Sequence, residues 1–253
     1  MKSYLCLIKA EVILLFGELK NYLLNYVFYN IGLLFLFIGL MYNYGYSFAL
    51  LISLLLWYAT TSSTSYLSSI ISEEAMMGTL EQIFLTKTKI QTVMSSKIFV
   101  NLIFTLLKTF LLLIISLAFI ASKIDLSLSF IEFVELLMIF VLTTVSFYYL
   151  GEFFGGLSLY YKRVSSILSV FTNILLLFSG VFTPINIDNP MFYLTPLPAS
   201  IKLMNMLIND EYNDLVLTII IYLTLVSVYI IGGIISFNFY LKKAKKDGKL
   251  NQY

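Results

Sequence analysis

The sequence has no histidine and a single cysteine, Cys6. Without His there is no His-based triad, no His-Glu-x-x-His zinc site and no imidazole to move protons near neutral pH. One cysteine excludes an intrachain disulfide framework. Charge is sparse as well: charged residues make up 12% of 253, and the net charge is only +2. So small a basic excess gives no ground for nucleic-acid binding. No Gly-x-x-x-x-Gly-Lys-Ser/Thr loop occurs, so the chain lacks the usual cradle for ATP phosphates. With neither His chemistry nor such a loop, the chain reads as no enzyme, with no catalytic residues, no metal site and no cofactor of its own. Proline is confined to Pro184, Pro190, Pro196 and Pro198, which leaves the rest of the chain free to form long helices.

Apolar surface is what the chain has in quantity. Hydrophobic residues make up 60% and mean hydropathy is +0.92, which places the chain in lipid. A hydrocarbon core of about 30 Å needs about 20 apolar residues per helix. Six runs qualify: 22–41, 48–71, 93–121, 130–157, 165–182 and 215–240. The expected fold is an all-α membrane protein, with one six-helix domain over residues 1–241 and a basic tail over 242–253 that anchors at anionic headgroups. Lys and Arg set the orientation. All basic residues except Lys108, Lys123 and Lys202 fall on one side of these spans, so both termini are expected to be cytoplasmic.

The N-terminus does not read as a cleaved signal, because Glu11 interrupts its apolar core and Glu18 and Lys20 follow. As a helix it carries Lys2, Lys9 and Lys20 on one stripe with Glu11 and Glu18 opposite. An interfacial helix is the favoured reading, and a tilted extension of the first span is the alternative. From Thr60 to Ser72, nine of thirteen residues are Ser or Thr. Such hydroxyls either line a polar path or tie helices together. Within the spans, Lys108, Glu135, Lys97 and Glu152 are charged, and charge in hydrocarbon calls for a partner. Heights along antiparallel helices suggest the pairs Lys97–Glu152 and Lys108–Glu135. Gly151 and Gly155 form a Gly-x-x-x-Gly spacing, with Gly156 alongside, suited to close helix packing.

Residues 72–89 form a polar island between apolar runs. Ser72 can cap a helix whose first turn holds Glu73 and Glu74. Gly78 breaks it, and Thr79 with Gln82 forms a capping box that opens a second, short helix. On that helix Leu80, Ile83 and Phe84 share a face, with Glu81 beside them. Glu74 and Gly78-Thr79-Leu80-Glu81-Gln82 resemble the Glu-x-x-x-Gly-Thr-Leu-Glu element of type 2 ABC exporter permeases, the ABC-2 family. Ala75, Met76 and Met77 depart from its usual Arg and acids, and Lys87 from a frequent Pro. A second resemblance is on the opposite face, in Phe178-Ser179-Gly180-Val181-Phe182-Thr183-Pro184-Ile185, followed by Thr195-Pro196-Leu197 where Asn-Pro-Leu is common.

The likeness, over about residues 1–241, implies a cytoplasmic coupling helix at 79–85 and an extracellular re-entrant cap between the fifth and sixth spans. It implies a separate ATP-binding subunit, which would hold ATP and Mg, and pairing with a second copy or a related permease in a bacterial cell membrane. Glu74, Gly78, Thr79, Leu80, Glu81, Ile83 and Phe84 would form the ATPase joint. Phe178, Gly180, Phe182 and Pro184 would form an outer gate. The implied cargo is hydrophobic or amphipathic, such as peptide toxins or antibiotics, the exporters of phenol-soluble modulins being one subgroup. A lipid-linked glycan or polysaccharide is the alternative cargo, and a passive channel or membrane sensor the competing class.

Overall fold

In a computed structural model, the described residues are 2–86, 88–120, 129–161, 164–183, 185–210 and 214–248. The chain runs as α1 (Lys2–Asn21), α2 (Leu23–Tyr44), α3 (Phe48–Met76), α4 (Thr79–Leu85), α5 (Ile90–Ile120), α6 (Phe130–Tyr161), α7 (Ser165–Phe178), α8 (Pro196–Asn209) and α9 (Leu215–Lys246), with a 3₁₀ turn at Pro190–Tyr193. Turn chemistry explains the first boundaries. Gly45 takes φ 103° after α2, where a side chain would be strained. Ser47 then caps α3, its Oγ accepting from the Leu50 amide at 3.1 Å.

Among the described residues, five helices are long and apolar enough to cross a membrane: α2, α3, α5, α6 and α9. The expected sixth span is shorter than its apolar run. α7 has 14 residues, about 21 Å of helix, because Ser179 leaves the helix and Gly180 turns at φ 84°. α9 is longer than expected. It carries Lys243, Lys245 and Lys246 in its last turn, where cations suit the helix dipole.

α3 is the central rod, buried along most of its length and packed on α5, α6, α7 and α8. The small residues of α6 explain the tightest contact. A Cβ on Gly151 would meet the Thr64 carbonyl oxygen at 2.6 Å, and one on Gly155 would strike Ile71. Gly156 and Gly233 do the same between α6 and α9, against Phe237 and Tyr149. Thr64 adds a bond from its hydroxyl to the Phe147 carbonyl at 3.2 Å. The glycine spacing is thus a packing device.

One apolar cluster joins the ends of α3, α6 and α9 to α4 and the start of α5, through Ile71, Leu80, Met94, Leu159 and Leu241. Tyr4, near the start of α1, reaches the Ser95 carbonyl at the same end. At the other end, α8 is nearly all buried, its Ala199, Leu203 and Met206 packed with Phe192, Tyr222 and Val226. Its buried residues fill space between α3, α6 and α9.

Candidate functional site

The polar island forms an elbow, though not by the expected caps. α3 runs through Ser72 to Met76, because Leu67, Ile71 and Ala75 keep one apolar stripe in the core. Gly78 is the breaking residue, at φ 71°. Thr79 is the first residue of α4, so no capping box forms; its hydroxyl donates to the Glu74 carbonyl at 3.2 Å and closes the bend. Leu80 is 1% exposed, buried in the chain's own core and not displayed. Ile83 is half-buried, and the side chains of Glu81 and Phe84 lie outside the described residues. The apolar groups this elbow shows to the surroundings are Met76, Met77 and Leu85, the last 88% exposed.

Behind the bend lies a lysine fork. Lys97 on α5 is 2.9 Å from Glu11 on α1 and 3.0 Å from Glu74 on α3. All three side chains are largely buried. Glu74 sits in the last turn of α3, where an acid opposes the helix dipole, and the ammonium offsets that. The expected Lys97–Glu152 pair does not form. α6 packs chiefly on α3 and α9, so α1 and the end of α3 are nearer to Lys97. Glu152 is fully buried, and among the described residues its carboxylate has no well-formed hydrogen bond, Gln91 being the polar side chain beside it. Its neighbour Gln91 donates to Asn238 at 3.4 Å. The role of Glu11 was missed because its partner lies 86 positions away. The buried bond from Tyr148 to Asn101, 2.6 Å long between α5 and α6, was missed as well. Asn101 and Thr105, one turn apart in an apolar run, were its signal.

The hydroxyl run of α3 divides between its two expected roles. Thr60, Ser63 and Thr64 are buried and bond to carbonyls of their own helix or, for Thr64, also of α6. Thr61, Ser62, Ser65, Ser68, Ser69 and Ser72 instead line an open groove of about 1110 Å³. The groove is walled on one side by Asn25, Tyr26 and Tyr29 of α2 and on the other by Ser165, Ser169 and Thr172 of α7. Trp57, the chain's single tryptophan, lies at one end and Glu73 and Met76 at the elbow.

Lys108 also lines this groove. The expected Lys108–Glu135 pair is absent. Helical side chains lean toward the helix start, so the ammonium lies 4.3 Å over the Phe104 ring and 5.0 Å over that of Tyr26. Glu135 is exposed near the start of α6.

Of the residues named as an outer gate, Phe178 and Phe182 have different surroundings within one chain. Phe182 stacks on Tyr44, with centroids 4.7 Å apart, while Phe178 is exposed. Gly180 forms the turn between them, and Pro184 lies outside the described residues. Among the described residues no cluster of His, Cys, Asp and Glu could hold a metal.

Across the elbow, the fork, the groove and the outer turn, the family model for the ABC-2 type transporter matches residues 4–207. No curated protein matches the chain.

Proposed function

The chain belongs to the ABC-2 type transporter family, and on that premise we propose that it is the membrane-spanning permease subunit of an ATP-driven exporter of hydrophobic or amphipathic molecules. Membership makes it a permease component. The proposal adds outward transport, a separate ATP-binding partner holding ATP and Mg, and a face-to-face pair of permeases. The match over most of the chain carries the reading. The groove supports it: a polar lining in a lipid-embedded bundle is costly unless it faces water or cargo, and six hydroxyl residues of α3 line it. In this reading α7 and the residues after it form the sixth crossing and a re-entrant cap, and peptide toxins or antibiotics are the cargo.

α4 serves as the coupling helix, with one change from the sequence expectation. Leu80 holds the elbow from inside, and Met76, Met77 and Leu85 offer the apolar contact that a motor subunit would cover. Glu74 would transmit motion through Lys97 to α1 and α5.

The test is co-purification with ATP-binding subunits co-expressed from the same genome, followed by an ATPase assay. A Met77→Asp, Leu85→Asp double variant is expected to insert normally and lose at least tenfold in partner affinity, as loss of two buried apolar anchors costs a few kcal/mol, about 2 or more. Wild-type affinity in that variant would overturn the coupling assignment. Leu80→Asp is the wrong test, since it buries a charge inside the permease itself.

A further inference from the structure

Lys108 is the basic side chain among the described residues that line the groove, and its ammonium rests over two aromatic rings. Among the described residues no carboxylate comes within ion-pair distance of it; both ion pairs belong to Lys97. Glu73, the acid in the groove lining, sits at the elbow end beside Met76. A half-buried cation held by rings alone keeps its capacity to bind an anion strongly. On α5 Lys108 lies 11 positions beyond Lys97 of the fork, about 16 Å further from the elbow.

The groove is long and open. From Trp57 to Met76 it follows α3 for about 28 Å, with a volume of about 1110 Å³, room for an extended alkyl chain. Hydroxyls and rings along the walls suit a body that is polar on one side and apolar on the other.

We infer that the groove takes single-chain amphiphiles with an anionic headgroup, a phosphate or a carboxylate, and that Lys108 is the residue that selects the charge. This rests on the exporter reading only in treating the groove as the cargo's route, and it narrows that reading's cargo from amphipathic molecules in general.

Trp57 supplies the reporter. The full chain is placed in nanodiscs of uncharged lipid and titrated with three spin-labelled amphiphiles that share one alkyl tail and bear a phosphate, a carboxylate or a trimethylammonium head. Both anionic probes are expected to quench Trp57 at about tenfold lower concentration than the cationic one, the scale of a charge-assisted contact. Whichever anion is tighter names the headgroup. Lys108→Gln should erase the preference, while Lys108→Arg and Lys202→Gln should keep it; the Arg variant also guards against misfolding. Equal quenching by all heads, or a preference that survives Lys108→Gln, overturns the inference. So does no quenching by any alkyl probe, whether because a second copy covers the groove or because a spin-labelled acidic peptide quenches in their place. The measurement needs no ATP-binding partner, so it can succeed where the co-purification fails, or fail where that succeeds.

Discussion

At the scale of single residues, two adjacent glycines separate packing from propensity. A Cβ on Gly233 would collide with the Tyr149 backbone, whereas one on Gly232 would meet nothing within 4 Å. Gly233→Ala is therefore expected to cost about 1–3 kcal/mol by forcing α6 from α9. Gly232→Ala should gain up to about 1 kcal/mol from helix propensity. Thermal unfolding in detergent reads both, and equal effects would show that the close approach is not real. The lysine fork gives the second test at this scale. Lys97→Met leaves Glu11 and Glu74 facing each other with little water, at a cost of about 3 kcal/mol or more. Adding Glu11→Gln and Glu74→Gln should recover most of it, because what destabilises is the uncompensated charge. If the triple variant melts no higher than Lys97→Met, the fork has another role.

At the scale of elements, the sequence disclosed what depends on neighbours along the chain and concealed what depends on neighbours in space. Gly78 was legible as a break because only a residue without Cβ turns easily at positive φ. The apolar lengths of α2, α3, α5, α6 and α9 were legible for the same local reason. Ser72 misled, because a good cap loses to an apolar stripe that continues through Ala75 into a core. Leu80 misled differently: its helical face was read correctly, but which way that face turns is decided by Met94 and Leu241. The charge pairs failed by the same logic. Matching heights on α5 and α6 took no account of α1, which supplies Glu11 to Lys97. The break at Gly78 was thus placed correctly in the chain, while Leu80 turned inward.

At the scale of the whole molecule, α3 has opposed duties on its two sides. One presses Thr64 and Ile71 onto α6, and the other turns Ser62, Ser65 and Ser69 into the groove. Replacing those three serines with Leu should leave the melting temperature within a few degrees, since no packed contact is lost. ATP hydrolysis by the assembled complex, stimulated by an anionic amphiphile, should fall about tenfold or more, the groove's polar side being removed. Unchanged stimulation would separate the groove from transport.

The brevity of α7 has a consequence beyond helix counting. A wall of about 21 Å beside oil of about 30 Å leaves a gap of about 9 Å on the side bearing the turn at Gly180. In the exporter reading proposed above, cargo beside that stunted post meets a thinner insulating layer than the surrounding bilayer presents. The electrical toll for a charged head scales with that thickness, so in that reading geometry lowers the barrier before any nucleotide is spent.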